Sequence, residues 1–459
     1  MDKFNRLRKE NPLFVYKGCH IAENNDNIDI IYDFEIEGLA EFHPGWSFPK
    51  SADIPVGNNL TLERLAFSLG MAEALSYWKA ACSPVMRIEC GELDEQQVKW
   101  WKKLYFMGLG EFFYINGIEA DSEDFIKIES VGQFESHDEY RIPLSGCLVP
   151  IGGGKDSALT LETLISAGQK CQCYAINNRN SIVKTVETAG LQKNDLLVAK
   201  RKFDRSLIKL NDSGYLNGHT PFSAVVAFSA ATAAYLNGLQ YIVLSNEASA
   251  NESTVAGKSV NHQYSKSFTF ESDFHFYEDK YLRTGTYYFS FLRPLLEFQI
   301  AELFSSHRKY LPVFRSCNLG SKVSPDIWCG KCPKCLFIAI ILSPFVEHDE
   351  LCAIFGKDML NDENMLQYFI ELIGRSEHKP FECVGSISEV NLAVSMTIRS
   401  YMNRGEELPF LLQKYIDAGL YEADKIDVQL AELHRYYNEN NLLPDAFTEI
   451  LKKEMERLA

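Results

Sequence analysis

Residues 147–157, with the sequence CLVPIGGGKDS, decide how the middle of this chain folds. The apolar run 147–151 is typical of a buried strand, and the three glycines after it let the backbone approach a ligand closely. From Asp156 to Ala167, apolar side chains recur at helical spacing, and Gly168 follows as a stop signal. The stretch therefore predicts a strand, a glycine loop and a helix in succession.

The sequence that follows continues this alternation. Strands are predicted at 171–177, 195–200 and 241–245, and helices at 181–189 and 221–236. Alternating strands and helices form a parallel sheet with helices on both faces, and ligands bind beyond the C-terminal ends of its strands. The middle of the chain is therefore expected to have an α/β fold with its ligand at the glycine loop.

The glycine loop has the composition of a phosphate-binding loop. Its N–H groups, together with the N-terminus of the predicted helix, favour an anion. Ser157 can donate a hydroxyl and Lys155 can add a cation, whereas Asp156 would repel phosphates unless Mg²⁺ lay between them. The Walker sequence and the dinucleotide fingerprint both fail, because position 149 is Val and position 157 is Ser. A tight turn without a ligand is the alternative.

The loop resembles the S-G-G-x-D-S signature of the PP-loop ATP pyrophosphatases, with Gly152 in place of the usual serine. The resemblance implies the adenine nucleotide alpha hydrolase-like sheet of that superfamily, with ATP and Mg²⁺ as ligands. It also implies that a substrate oxygen attacks the α-phosphorus to give an adenylate and pyrophosphate. The residues assigned to ATP by this resemblance are Gly152, Gly153, Gly154, Lys155, Asp156 and Ser157.

Four cysteines form a second motif, in which two C-x-x-C steps share Cys332. They are Cys317, Cys329, Cys332 and Cys335. Four thiolates at this spacing suit a structural zinc ion, because they leave no open coordination position. Buried free cysteines and a redox C-x-x-C pair are the alternatives. A zinc knuckle after a PP-loop domain resembles the 7-cyano-7-deazaguanine synthases.

A longer resemblance, over nearly the whole chain, is to the ATP-dependent UDP-N-acetylmuramoyl-L-alanyl-L-glutamate epimerases of bacterial wall synthesis. It implies adenylation of a carboxylate in a sugar-nucleotide dipeptide, inversion of the terminal L-Glu to D-Glu, and release of AMP and pyrophosphate. The segments that carry it are YWKAACSP at 77–84, GLGEF at 108–112, 149–157, SNEASANE at 245–252, 260–267, 329–335 and KPFECVG at 379–385.

Three other functions remain open beside the epimerase. A nitrile- or amide-forming enzyme like the deazaguanine synthases also adenylates a carboxylate, but such an enzyme would not need the extra N-terminal region. A tRNA-modifying PP-loop enzyme is disfavoured by the charge of the chain. A degenerate nucleotide-binding regulator would account for Gly152 as a mark of lost catalysis.

The sequence identifies the residues that move the α-proton less specifically than it identifies the glycine loop. Lys155 and Asp156 are expected to act on the phosphates, and His219, Glu247 and Cys383 are candidates for proton transfer. His219 precedes a predicted helix, so it could instead be a capping or loop residue. Glu247 and Glu252 flank the end of a predicted strand, and either could bind Mg²⁺, act as the base or be a solvated carboxylate. Cys383 could be a buried structural thiol.

Substrate contacts are predicted only by residue type. Arg283, Arg293 and Arg315 are candidate clamps for an anionic substrate. His262, Tyr264 and Lys266 could contact phosphates or carboxylates, or line a surface loop.

The composition is that of a globular protein, with 46% hydrophobic and 24% charged residues among 459. No membrane span is expected, because the longest apolar runs are too short for a bilayer. Residues 1–10 are charged and lack the apolar segment of a secretion signal. The twelve cysteines are scattered along the chain, which favours reduced thiols in the cytoplasm.

The net charge of −16, from 46 basic and 62 acidic residues, argues against nucleic acid and favours a small-molecule substrate. The oligomeric state is left open.

Three domains are expected: an α+β candidate substrate-binding domain at 1–140, an ATP-binding domain with the cysteine knuckle at 141–345, and a mainly helical region at 346–459. In the first, strands are predicted at 28–36 and 112–116, and helices at 62–79 and 92–107.

Overall fold

The computed structural model describes residues 2–248, 264–317, 319–320, 323–376, 380 and 384–458. The strands are β1 Leu13–Asn24, β2 Asn27–Ile36, β3 Ala40–Phe42, β4 Gly45–Pro49, β5 Val85–Ile88, β6 Lys127–Ser130, β7 Cys147–Pro150, β8 Cys171–Ile176, β9 Leu196–Lys202, β10 Tyr241–Leu244 and β11 Tyr287–Ser290. The helices are α1 Lys3–Glu10, α2 Leu60–Trp78, α3 Glu95–Gly108, α4 Gly110–Ile115, α5 Lys155–Ser166, α6 Asn180–Thr188, α7 Arg205–Asp212, α8 Phe222–Leu236, α9 Phe268–Tyr277, α10 Glu297–Ser306, α11 Pro333–Leu342, α12 His348–Phe355, α13 Leu366–Leu372, α14 Ile387–Arg404, α15 Phe410–Asp417, α16 Ile426–Arg435 and α17 Asp445–Met455.

All eleven strands belong to one mixed sheet, in the order β11-β10-β7-β8-β9-β4-β2-β1-β5-β6, with β3 paired to β2. The five strands from β11 to β9 are parallel to one another. The β9–β4, β4–β2 and β2–β1 pairs are antiparallel, and β1, β5 and β6 are parallel. The prediction of a parallel sheet therefore holds for the middle region, but the sheet continues into the N-terminal region.

The parallel strands follow the doubly wound order, in which the chain starts in the middle and winds outward in both directions. The direction of winding changes between β7 and β10, which are neighbours in the sheet. In such sheets a crevice opens at this switch, beyond the C-terminal ends of the strands. The glycine loop directly follows β7, so it lies at the switch.

The antiparallel half of the sheet buries one face only. Along β2, buried and less buried side chains alternate, and Ile28, Ile30, Tyr32 and Phe34 are almost completely enclosed. Antiparallel sheets commonly have one packed and one solvated face, whereas buried parallel strands are apolar throughout. The three residues Cys147, Leu148 and Val149 of β7 are all 0% exposed, as expected for a buried parallel strand.

The run 112–116, predicted as a strand, is helical instead: it lies in α4 and the residue that follows it. Five apolar residues are too few for their periodicity to distinguish a strand from a buried helical turn. Phe112 and Phe113 are both buried, and Phe113 contacts the rings of Phe106 and Phe125. These aromatic contacts with α3 and with the chain that follows α4 hold the run in its helical form.

The N-terminal and middle regions are joined by strand pairing and by a buried ion pair. Strand β4 pairs with β9 at Trp46 and Arg201. The Arg201 guanidinium binds the carboxylate of Glu73 on α2 through two hydrogen bonds of 2.9 and 3.0 Å. Trp46 also donates to Glu73, whose residue is 0% exposed. A buried ion pair therefore ties α2 to the central sheet.

The region beyond residue 346 is mainly helical, as predicted, and packs around the buried helix α11. All residues of α11 after its first are buried. The division of the chain at residues 140 and 345 stays a prediction. Every described helix is too short or too polar to cross a lipid bilayer.

Candidate active site

The glycine loop after β7 has a backbone that partly requires glycine. Gly153 has φ +81°, and a Cβ there would lie 2.4 Å from the hydroxyl of Ser181. The carbonyl of Gly153 accepts a hydrogen bond of 2.6 Å from the N–H of Arg315. A Cβ at Gly152 would meet no atom within 4 Å. The space beside Gly152 is thus open, and steric fit does not explain the missing serine.

Helix α5 begins directly at the loop, with Gly154 as its N-cap and no capping side chain. Ser157 turns its hydroxyl to the carbonyl of Gly154 at 3.2 Å. The first N–H groups of a helix need acceptors, and the helix dipole favours an anion there. The start of α5 is therefore suited to phosphate oxygens.

Lys155 is buried between two carboxylates. Its ammonium donates to Asp156 and to Glu297, the first residue of α10. Burial lowers the pKa of the Lys155 ammonium, but the charges of Asp156 and Glu297 outweigh this and raise the pKa above its usual value. Lys155 therefore stays charged, and it orients Asp156, whose side chain is 35% exposed at the loop.

The C-terminal region reaches this ion cluster through α14. Glu389 accepts a hydrogen bond of 2.8 Å from the N–H of Phe298, one residue after Glu297. A Cβ added at Gly385 would lie 3.1 Å from the Cβ of Glu297. Burial raises the pKa of the Glu389 carboxyl, and the charge of Glu297 acts in the same direction. Gly385 is thus brought next to the partner of Lys155.

Ser316 is a loop neighbour that the sequence did not indicate. Its Cβ and Oγ lie 3.3 and 3.8 Å from the position of a Cβ on Gly154. Its hydroxyl is buried and has no hydrogen-bond partner among the described residues. A buried hydroxyl without a partner is costly, so a polar ligand at the loop would stabilise it. The only sequence signal was its position next to Cys317.

His219 lies just before α8, which runs opposite to the strands, so its N-terminus is at the same sheet edge as the glycine loop. Its Nδ1 is 3.6 Å from Oε2 of Glu111 at the start of α4. The structure thus brings His219 to the same sheet edge as the glycine loop, next to the N-terminal region.

Lys79, at the end of α2, is a buried residue that had no predicted role. Its ammonium donates to the carbonyl of Gly218, the neighbour of His219. Among the described residues this carbonyl is the one acceptor for its three N–H donors. Burial lowers the pKa of the Lys79 ammonium to about 8, and the charge of Arg201 acts in the same direction. A single charged residue within the apolar stretch 74–82 was the available signal.

Arg293, one of the candidate substrate clamps, makes its contacts inside the protein. It is 0% exposed, and its guanidinium binds the carboxylate of Glu271 at 3.0 Å. It also donates to the carbonyls of Glu247, at 2.7 Å, and Lys266, at 2.5 Å. Arg293 therefore joins the backbone on either side of residues 249–263 and is buried away from solvent.

The other candidates are placed as follows. Glu247 is 8% exposed and follows β10, at the same sheet edge as the glycine loop. Arg283 binds Glu139 at 2.7 Å, away from the loop, whereas the backbone of Arg315 contacts the loop. Tyr264 and Lys266 follow the undescribed segment, and the Tyr264 hydroxyl donates to Asp273 at 3.1 Å. Glu252, His262 and Cys383 lie outside the described residues.

The four predicted zinc ligands are brought together. The sulfurs of Cys317 and Cys332 are 3.8 Å apart, those of Cys329 and Cys335 3.7 Å, and those of Cys332 and Cys335 3.5 Å. Sulfurs that bind one zinc ion tetrahedrally at about 2.3 Å lie about 3.8 Å from each other. These thiols are free rather than joined in disulfides. The residues present therefore fit a structural zinc ion.

Comparisons with known proteins match most of this chain to one family. The family model for the MurL N-terminal domain matches residues 5–291, and that for the MurL C-terminal domain matches residues 313–420. A UDP-N-acetyl-alpha-D-muramoyl-L-alanyl-L-glutamate epimerase from a Micromonospora strain is 34% identical over 80% of this chain and 83% of its own. Proteins of the same name from Xanthomonas oryzae pv. oryzae and Salinispora tropica are 33% identical, over 83% and 80% of this chain and 85% and 81% of their own. No solved structure gives a significant match.

Proposed function

The chain belongs to the MurL family, and on that premise we propose that it inverts the terminal L-glutamate of UDP-N-acetylmuramoyl-L-alanyl-L-glutamate. The product would be the D-glutamate epimer, a precursor of peptidoglycan. The reaction would consume ATP and release AMP and pyrophosphate. The observation that carries the mechanism is the glycine loop at the switch point of a doubly wound sheet, with an uncapped helix behind it.

Adenylation is the first proposed step. A free α-carboxylate makes the neighbouring C–H weakly acidic, because deprotonation would place two negative charges side by side. A carboxylate oxygen attacks the α-phosphorus of ATP, the bond to pyrophosphate breaks, and the resulting mixed anhydride no longer carries that charge. The loop N–H groups bind the departing phosphates.

Side chains around the loop supply the remaining phosphate contacts in this proposal. Asp156, held by Lys155, would bind Mg²⁺, which neutralises phosphate charge when bound. Ser316 would donate the hydroxyl that the PP-loop signature has at the position of Gly152. The support for this role is its buried Oγ beside Gly154, which has no hydrogen-bond partner in the part of the chain that the structure describes.

Proton transfer is the second step. We assign it to Lys79 and His219, which meet at Gly218 on the ligand-binding edge. The neutral amine of Lys79 would take the α-proton, leaving the electron pair in the enolate. His219 in its protonated form would return a proton to the opposite face. Water then hydrolyses the anhydride and releases AMP.

Two predicted proton-transfer groups remain candidates. Glu247 lies at the same edge, but its side chain is 8% exposed. Cys383 comes two residues before Gly385, which is close to Glu297. The zinc ion of the four cysteines has a structural role in this proposal, and the enzyme acts as a cytoplasmic protein on a small molecule without nucleic acid.

Incubation with the dipeptide substrate, ATP and Mg²⁺ in D₂O tests this function. We expect AMP together with D-glutamate that carries one deuterium at Cα, found by chiral and mass analysis after hydrolysis. AMP without inversion would instead favour a nitrile- or amide-forming enzyme. Absence of AMP would contradict the proposed adenylation.

A further inference from the structure

A second cluster of metal-binding side chains lies outside the four-cysteine knuckle. His348, the first residue of α12, and Cys352, one turn later, share a face of that helix. Gly356 ends the helix with φ +72° and turns the chain, so that Asp358 returns to the same face. One ligand atom from each of the three residues lies within 4.8 Å of the others.

The distances in the cluster are those of a coordination site. Nε2 of His348 is 3.6 Å from Sγ of Cys352 and 3.3 Å from Oδ2 of Asp358. For a tetrahedral zinc ion with ligands at about 2.0–2.3 Å, a nitrogen lies roughly 3.6 Å from a sulfur and roughly 3.3 Å from an oxygen. Both distances from Nε2 of His348 therefore match those that one ion would require, and the ligand atoms of Cys352 and Asp358 lie within 4.8 Å of each other.

A catalytic triad is excluded by the same geometry. In a nucleophile–His–Asp triad, the two partners contact different nitrogens of the imidazole ring. Here Cys352 and Asp358 both approach Nε2 of His348. A single ring nitrogen carries at most one proton, so it cannot make a full hydrogen bond to both groups. Convergence on a shared ion satisfies all three.

The surroundings support a cation at this point. The other oxygen of Asp358 accepts N–H bonds of 3.0 and 3.1 Å from Leu360 and Asn361, which leaves Oδ2 turned toward His348. Metal-binding carboxylates are commonly oriented in this way. The neighbouring cation Arg404 is paired with Glu406 at 2.8 Å, so a carboxylate offsets part of its charge.

The cluster also connects to the cysteine knuckle. At the other end of α12, the ring of Phe355 is 4.9 Å from that of Trp328, which precedes Cys329. A Cβ at Gly330, inside the knuckle, would lie 3.3 Å from the side chain of Lys357. The residues on both sides of the turn at Gly356 thus lie between the two sites.

We propose that His348, Cys352 and Asp358 bind a second zinc ion, with water in the fourth position. Imidazole, thiolate and carboxylate are the three ligand types that zinc takes in proteins. The ion would fix α12 to the loop that follows it, next to the knuckle. This site is independent of the proposed reaction.

Zinc content of the full-length protein, loaded with zinc and then dialysed against metal-free buffer, tests the site. We expect about two zinc ions per chain in the wild type and about one in each of His348→Gln and Cys352→Ser. Cys90→Ser changes a comparably half-buried thiol elsewhere and should keep both ions. Loading with Co²⁺ instead should show thiolate-to-cobalt charge transfer that Cys352→Ser diminishes.

Equal zinc content in the wild type and in both cluster variants would overturn the proposal. His348, with a side chain 34% exposed, is on the surface, so His348→Gln should fold even where Cys352→Ser does not. Circular dichroism checks the fold of each variant before the metal is counted.

Discussion

At the scale of single residues, Ser316 is one of the buried side chains whose polar atom has no hydrogen-bond partner among the described residues. We expect Ser316→Ala to lower the rate of AMP formation by about 10- to 100-fold, because one hydrogen-bond donor to the phosphates would be lost. Stability should change little, since the removed hydroxyl has no partner among the described residues. Steady-state assays of AMP and thermal melting would measure both effects.

The matched control for this variant is Ser51→Ala, a change of an exposed serine outside the loop. An unchanged rate in Ser316→Ala would remove the proposed phosphate contact. Gly152→Ser is a useful companion, because a Cβ at Gly152 meets no atom within 4 Å. If Ser316 stands in for the usual serine, Gly152→Ser should restore part of the activity of Ser316→Ala.

Lys79 is the second residue-scale case. Lys79→Met should keep ATP-dependent AMP formation and lose deuterium incorporation from one epimer of the substrate, because each proton-transfer group serves one face of Cα. A buried charge can often be replaced by an apolar side chain of similar size without loss of stability, so the variant should fold. Mass spectrometry of each epimer after incubation in D₂O would show the asymmetry.

The pH dependence follows from the pKa of about 8 for Lys79. A base must be neutral, and the neutral fraction of this amine rises as pH increases through 8. Exchange from that epimer should therefore increase between pH 7 and pH 9 in the wild type. Lys79→Arg, which keeps a charge and cannot deprotonate, should lack this increase. Normal exchange from both epimers in Lys79→Met would contradict the assignment.

At the scale of structural elements, the knuckle positions α11. Cys332 is the N-cap of this helix and Cys335 lies in its first turn. Loss of one ligand would leave a weak zinc site at the start of a buried helix. We expect Cys332→Ser to lose about one zinc ion per chain and to melt at a lower temperature. Metal analysis and calorimetry would measure both changes.

The specificity of that effect can be checked with Cys90→Ser, which should retain the metal. ATP binding should persist in any soluble Cys332→Ser protein, because the loop residues from Gly152 to Ser157 are not zinc ligands. Full zinc retention in Cys332→Ser would show that the four cysteines are not the ligand set.

At the scale of the whole molecule, the buried pair of Glu73 and Arg201 joins α2 to the central sheet. Glu73→Gln removes the charge that balances a guanidinium of which 6% is exposed. We expect the free energy of unfolding to fall by about 3–5 kcal/mol, because the remaining charge stays buried without a partner. Denaturant unfolding followed by circular dichroism would give this value.

Two comparisons make the result specific. The double variant Glu73→Leu with Arg201→Met should recover much of the lost stability, since both charges are then removed. Removing one charge of the more exposed pair of Lys17 and Glu35, whose charged atoms are 2.7 Å apart, should lower the free energy of unfolding by less than about 1 kcal/mol. A loss of similar size in both single variants would contradict the importance of burial.

Features that depend on neighbouring residues could be predicted from the sequence alone. The strand β7, the glycine loop and α5 follow one another within residues 147–166, so local backbone preferences were sufficient to predict them. The four cysteines lie within residues 317–335, and their spacing alone indicated a shared ion. The family was also identifiable, because its resemblance rests on short contiguous segments.

Contacts between residues far apart in the chain depend on the packing of the whole fold. Lys155 and Glu297 are 142 positions apart, and Lys79 and Gly218 are 139 apart. Such contacts arise when the strands order themselves in the sheet and the helices cover it, and periodicity in the sequence does not specify that order. The helical form of 112–116, the burial of Arg293 and the position of Ser316 beside Gly154 have the same origin. Local patterns predict elements and motifs, whereas packing over long chain separations assembles the site.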